Sequence, residues 1–233
     1  MTNPNATRLT GVLFITATVA DLLGAAVRPA LTGTDYLSRV SANANQVAAS
    51  ALLLLIAAFA CVGIAVSMYT VLSKTNTGLD LGSVVFRALE AAMYLVAIVS
   101  QLSLLTLGQQ LVSAGAADRA SLGAVGGLLL SLREHAALAG VFAFCLGAFL
   151  YYYVFFQSRL IPRWLSGWGI AAIILMMAAC VLALFSNSPV TGYVLLALPI
   201  FVQEMVLAVW LIVKGFSPSP RPAVAVAAAL APA

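Results

Sequence analysis

The sequence predicts an all-α fold: a polytopic transmembrane bundle of six helices with both termini in the cytoplasm. Three observations support this prediction. Of the 233 residues, 63% are hydrophobic and only 8% are charged, against about 45–50% and about 25% in soluble domains. The apolar residues are gathered into six runs, each near the ~20 residues that a bilayer-spanning helix needs. The runs are continuous rather than alternating, which indicates helices and not barrel strands. This composition excludes a nucleic-acid-binding domain.

The six predicted spans are joined by connections of different length. They cover residues 8–27, 47–72, 84–107, 134–156, 164–185 and 191–214. Pro29 ends the first span, and Asp35 is a candidate cap for a short helix over 37–42. In the loop 108–133 we expect a short helix on the membrane surface, the alternative being a segment that dips into the bilayer. A signal peptide is a further alternative for the first span, but Asp21 interrupts it and it exceeds the usual ~7–15-residue apolar core.

Basic residues near the span ends predict the orientation. With the N-terminus inside, the cytoplasmic set is Arg8, Lys74, Arg87, Arg159, Arg163, Lys214 and Arg221, and the external set is Arg28, Arg39, Arg119 and Arg133. The larger cytoplasmic set favours cytoplasmic termini. Residues 1–216 are predicted to form one transmembrane domain. The Pro/Ala-rich tail 217–233 has no core-forming pattern and is predicted to be disordered.

Polar residues in the third span are the first candidates for a functional site, because an ionisable residue at the centre of a membrane helix costs about 2.5–3.5 kcal/mol. Arg87 and Glu90 lie at i, i+3, close enough to pair. Tyr94 and Gln101 continue the same helical face. We therefore predict a polar seam that faces the interior of the bundle, either as a structural ion pair or as a ligand or proton site.

Glu204 in the sixth span is the second candidate. It lies about ten residues from Lys214, so at ~1.5 Å per residue it is near the bilayer midplane. Gln203 precedes it, and Pro199 lies five residues before it. Because proline removes a helical hydrogen bond, we expect a free carbonyl beside this acid. The arrangement is typical of a proton, ion or amine site, and equally of a buried Glu–Arg or Glu–Tyr pair.

Two further groups lie toward the external ends of spans. Asp21 shares a helical face with Arg28, and His135 follows Glu134 at the mouth of the fourth span. Asp21, Glu134 and His135 could supply metal ligands if the first and fourth spans met, but no ligand spacing supports this, so no metal site is predicted. With one histidine, bis-His haem ligation is impossible, and no cofactor is predicted.

Small residues within the spans are predicted to pack helices together. The cysteines are expected to be free thiols that fill space: Cys61, Cys145 and Cys180. Gly140 and Gly147, and the pair Gly63 and Ser67, are expected to let neighbouring helices approach closely.

Four segments resemble the bacterial family catalogued as domain of unknown function 4386. They are RLTGVLFI at 8–15, FRALEA at 86–91, SRLIPRWLSGWG at 158–169 and LPIFVQEMVLAVWLIVKGF at 198–216. The resemblance implies a multi-pass protein of the bacterial plasma membrane, but no reaction. It also implies that certain residues belong to a shared pattern: Arg87, Glu90, Arg159, Pro162, Trp164, Pro199 and Glu204.

Three functions fit these observations, and the sequence favours a non-enzymatic one. The first is binding or transport of a small molecule, an ion or a proton through the intramembrane polar site, with membrane lipids as the other partners. The second is a membrane-embedded enzyme on a lipid or quinone, using Glu90, Glu204 and His135. Glu90 and His135, however, lie about 20 Å or more apart by helical rise, too far to act on one substrate atom. The third is a structural or regulatory protein whose charges only specify packing. The sequence carries no signal for an oligomeric state.

Overall fold

The computed structural model describes residues 4–217 and confirms the all-helical membrane fold. Six of its helices are long and apolar enough to cross a bilayer. The helices are α1 (Pro4–Val27), α2 (Tyr36–Ala42), α3 (Ala44–Leu72), α4 (Thr77–Ser113), α5 (Ala116–Ser158), α6 (Arg163–Ser186) and α7 (Val194–Val213). A single 3₁₀ turn, Val190–Tyr193, leads into α7.

The spanning helices form one closed ring in chain order. Each packs mainly against the spanning helices before and after it, and α7 returns to pack against α1. Because successive spans run antiparallel, α1 begins and α7 ends at the same side of the ring, here called the N-terminal side. The connection between α4 and α5 lies at the opposite side, here called the hairpin side. Which side faces the cytoplasm stays a prediction.

The outer surface of the ring is apolar. Large hydrophobic side chains point away from the bundle on several helices, among them Phe59 at 65% exposure, Phe185 at 86% and Leu195 at 80%. A soluble monomer rarely exposes a continuous apolar surface of this kind. The exposed side chains therefore form the lipid-facing surface of a multi-pass membrane protein.

The α4–α5 hairpin is longer than predicted, and the separate surface helix expected in the loop 108–133 is wrong. α5 has 43 residues, about 65 Å at ~1.5 Å per residue, roughly twice a bilayer's hydrocarbon thickness. The hairpin therefore extends beyond the membrane on the hairpin side.

Buried contacts with α2 account for this extension. Leu37 and Val40 of α2 pack with Leu104 and Leu107 of α4, and leucines of α5 cover the cluster. A Cβ at position 126 would lie 2.5 Å from the Tyr36 hydroxyl, so the glycine there permits the contact. α2 forms as predicted, but Asp35 makes no side-chain capping bond, and that part of the prediction is wrong.

The chain after α7 folds back onto the N-terminal side. Phe216 is buried against Phe155, with ring centroids 5.5 Å apart. The Ser217 amide donates to the Leu160 carbonyl at 2.8 Å. The predicted disorder therefore does not apply to Ser217, and the remainder of the tail, 218–233, lies outside the described residues.

Small residues bring the helices close, as predicted. A Cβ at Gly147 would lie 3.2 Å from the Phe86 Cβ of α4, and one at Gly63 would lie 3.1 Å from Leu13 of α1. Ser67 of α3 accepts a hydrogen bond from Thr10 at 2.8 Å. The sequence reasoning missed Gly11, where a Cβ would meet the Ala208 carbonyl oxygen at 2.6 Å. Gly11 therefore sets the approach of α1 to α7 and closes the ring.

Replacing Gly11 with alanine is expected to destabilise the bundle, because the new methyl collides with main chain that cannot rotate away. The cost of such overpacking is about 1–3 kcal/mol, and thermal unfolding in detergent would measure it as a lowered Tm. Gly127→Ala is the matched control, because no described residue places an atom within 4 Å of a Cβ there. That change should hold or raise the Tm by helix propensity. Equal effects at the two sites would contradict the closure at Gly11.

Candidate functional site

Arg87 and Glu90 form a buried ion pair on α4, as their spacing predicts. The Arg87 Nη1 lies 2.9 Å from the Glu90 Oε2, and the two side chains are 3% and 6% exposed. The contact lacks the alignment of a hydrogen bond, so the Arg87 Nε and Nη1 and the Glu90 Oε2 are buried with no hydrogen-bond partner within residues 4–217. The Arg87 guanidinium also lies over the Phe144 ring of α5, 5.1 Å from its centroid.

Glu204 of α7 faces this pair from across the ring. Its Oε1 accepts a hydrogen bond from the Tyr151 hydroxyl of α5 at 3.3 Å, and Arg87 is within electrostatic range. Among residues 4–217 no donor bonds the other carboxylate oxygen, and no basic group lies within 4 Å of it. Glu204 is partly exposed rather than sealed in the core. It therefore keeps an oxygen free to bind a proton or a cation.

Gln203 holds helices together. The Tyr152 hydroxyl donates to its Oε1, and its Nε2 donates to the Leu165 carbonyl at 3.1 Å. Gln203 is fully buried, and its bonds join α5, α6 and α7. It thus fixes the register of α7 and the direction in which Glu204 points.

Cys61, Tyr151 and Tyr152 are site residues that the sequence reasoning missed. Cys61 is a buried free thiol, as predicted, but its Sγ also donates to the Glu90 Oε1 at 3.6 Å. Nothing in the α3 sequence signals this contact, because it depends on how α3 packs on α4. The three consecutive tyrosines 151–153 within an apolar span were the available signal for the other two.

A second polar group lies further toward the hairpin side. The Tyr94 hydroxyl donates to the Asp21 Oδ1 of α1 at 3.1 Å. Gln101 donates to the Ser50 Oγ at 3.2 Å and to the Val47 carbonyl at 3.3 Å. The predicted seam is therefore internal, and its members contact α1 and α3.

The seam also continues toward the N-terminal side, where the prediction did not extend. Asp80 and Ser83 are each 1% exposed and continue the face of Arg87. From Asp80 to Gln101 the polar face covers about 30 Å at the helical rise, which is the hydrocarbon thickness of a bilayer.

His135 and Pro199 do not contribute to the site. His135 is exposed, and its Nδ1 lies 2.7 Å from the Ser131 carbonyl of its own helix. The carbonyl that Pro199 leaves without a helical donor belongs to Leu195, four residues earlier. Leu195 lies about 13 Å from Glu204 along the axis at the helical rise, so no proline-freed carbonyl lies beside the acid.

The described residues contain no group of three His, Cys, Asp or Glu side chains placed to hold a metal ion. A cleft of about 330 Å³ lies at the junction of α2 and α3, lined by residues 42–46, and includes none of the site residues. The chemistry of the interior therefore rests on its charges. One guanidinium faces two carboxylates, which leaves one negative charge uncompensated when all three are ionised.

Removing Arg87 alone is expected to destabilise the protein strongly, because it leaves Glu90 and Glu204 without a cation. Breaking a buried ion pair costs about 3–5 kcal/mol, whereas replacing both partners with apolar groups is often neutral. We expect Arg87→Met to lower the Tm in detergent, and Arg87→Met with Glu90→Met to recover much of the loss. If the double variant loses as much as the sum of the single ones, the pair is not coupled as described.

Comparison with known proteins identifies the family. The family described as "Domain of unknown function (DUF4386)" matches residues 9–215, which covers five spans in full, α1 from residue 9 onward, and every residue of the polar site. No curated protein and no solved structure matches the chain. The match confirms the resemblance of the four sequence segments, and the chain belongs to the DUF4386 family.

Proposed function

We propose that this membrane protein binds a proton at Glu204, next to the Arg87–Glu90 pair, and couples its uptake and release to transport across the membrane. The observation that carries the proposal is the charge balance inside the ring. Two carboxylates share one guanidinium in a low-dielectric environment, where an unpaired charge is costly. Binding one proton or one small cation neutralises the site.

The neighbouring groups favour a proton over a metal cation. Glu204 and Glu90 are contacted by a phenol and a thiol, Tyr151 and Cys61, which are donors that can exchange protons. Hard metal cations prefer several carboxylate, carbonyl and water oxygens arranged around one point. The site instead places its two carboxylates around a guanidinium, which repels a second cation.

A route for protons also fits the geometry. Arg87, Glu90, Tyr94 and Asp21 lie within hydrogen-bond or electrostatic range of one another along the ring axis. Polar groups on one face of α4 cover about the thickness of the hydrocarbon layer. Chains of carboxylates within spans are typical of proton relays in pumps and transporters.

Infrared difference spectroscopy of the purified protein tests proton binding at Glu204. Between low and high pH, a protonated carboxylic C=O band should appear and vanish, and Glu204→Gln should delete it. Glu134→Gln is the matched control, because Glu134 is an exposed carboxylate on α5. A spectrum that Glu204→Gln leaves unchanged would show that this residue does not take up the proton.

Proteoliposomes with a trapped pH dye and an imposed potassium diffusion potential test transport. We expect proton entry above that of protein-free vesicles, lost in Glu204→Gln and kept in Glu134→Gln. The glutamine variant should keep its Tm, because it retains the shape of the side chain and removes the unbalanced charge. Loss of stability with unchanged proton binding would instead assign the charges a purely structural role.

We propose that the protein lies in the bacterial plasma membrane with both termini in the cytoplasm and with lipids around the ring. The excess of basic residues at the N-terminal side supports this orientation. A fluorescent protein fused after residue 233 should then fluoresce, and alkaline phosphatase inserted between α4 and α5 should be active. The opposite pair of results would invert the orientation.

A further inference from the structure

Two arginines lie at the hairpin-side mouth of the ring, outside the proton site. Arg28 follows the last residue of α1, and Arg133 lies on α5. Both side chains are partly buried, and the two guanidinium groups are within electrostatic range of each other. The mouth therefore holds two like charges in an environment with limited access to water.

In the described part of the chain, neither arginine lies within 4 Å of a carboxylate oxygen, although both are partly buried. Among residues 4–217, Arg87 is the only basic residue whose side chain lies within 4 Å of a carboxylate oxygen, which belongs to Glu90. Asp21 and Glu134 attract both arginines from a greater distance, and Asp21 is already bonded by Tyr94. The Arg133 Nε is buried and has no hydrogen-bond partner among the residues that the structure describes.

The other arginines of the hairpin side differ in this respect. Arg39 donates to the Ala30 carbonyl at 3.0 Å and the Thr32 carbonyl at 3.4 Å, so it holds the loop before α2. Arg119 is exposed and donates to the Ala114 carbonyl at 3.3 Å near the hairpin tip. Arg28 and Arg133 thus stand apart as a partly buried pair without such a structural role.

The missing partner has a defined chemistry. Two planar guanidinium groups offer several N–H donors in fixed forks, which match the oxygens of a phosphate in bidentate contacts. A bound anion would relieve the repulsion between the two cations and satisfy the buried Arg133 Nε. Burial lowers the pKa of the Arg28 guanidinium, yet arginine stays protonated in proteins, so the pair keeps its charge.

From these contacts we propose that Arg28 and Arg133 form a binding site for a phosphate group at the hairpin-side mouth of the ring. A phospholipid headgroup and a free phosphate share this chemistry. The bound phosphate would lie beside Asp21, at the end of the polar seam, but the site rests on the arginines and stands without the proton site.

Lipid retention by the full-length protein tests the proposal. Protein reconstituted in equal parts of phosphatidylglycerol and phosphatidylcholine is extracted in mild detergent, and its bound lipid is measured by native mass spectrometry. We expect Arg28→Gln and Arg133→Gln each to reduce retained phosphatidylglycerol by about tenfold, as for a lost hydrogen bond to a charged group. Arg119→Gln removes the same charge from the exposed hairpin tip and should change nothing.

A second measurement separates the two sources of phosphate. Inorganic phosphate is added to delipidated protein, with chloride at equal ionic strength as the comparison. A rise in Tm that Arg28→Gln abolishes, without selective lipid retention, would assign the site to free phosphate. Arg28→Lys and Arg133→Lys keep the charge and the fold but lose the fork, and should bind with intermediate strength. The proposal is overturned if the arginine variants match Arg119→Gln in both measurements.

Discussion

The guanidinium of Arg87 is the charge on which the interior of the ring depends. Arg87 is 2% exposed as a residue. Its guanidinium contacts Glu90 on its own helix and attracts Glu204 from α7. Without it, two carboxylates would face each other in a medium of low dielectric. Packing is arranged around it. Gly147 of α5 leaves room for its stem, since a Cβ there would lie 3.3 Å from the Arg87 Cγ, and Phe144 covers its charged face. The close α4–α5 contact and the polar site are therefore one feature.

The features that were predicted correctly from the sequence are those that depend on the spacing of residues along a single helix. The six spans, the i, i+3 pair and the seam of Tyr94 and Gln101 all follow from residues on one helix, and the structure keeps each of them. Asp80 was missed because the continuous apolar pattern begins only at residue 84, which places this acid in the predicted loop. It lies in the first turn of α4, which begins at Thr77.

Contacts between helices could not be obtained in the same way. The contacts of Tyr94 with Asp21 and of the Cys61 thiol with Glu90 depend on how each helix is rotated within the ring. A single sequence does not specify this rotation. His135 is the opposite case. A histidine at the mouth of a span is suited to ligand binding, but this one lies on the outer surface. The extension of α4 and α5 beyond the bilayer was missed because its stabilisation comes from α2, which is distant in sequence.

The closure of α7 on α1 has a consequence for how the protein is made. Arg87 and Glu90 pair within one helix, so this pair can enter the membrane with its charges balanced before the rest of the chain is synthesised. Glu204 arrives with the last helix, so the charge imbalance that defines the site arises only when the ring is complete. The two ends of the described chain also meet, with a Cβ at Gly215 placed 3.7 Å from Thr7. In space, α1 and α7 are therefore neighbours in the same way as any two successive spans. A circularly permuted chain that begins at another loop would keep the same contacts between helices.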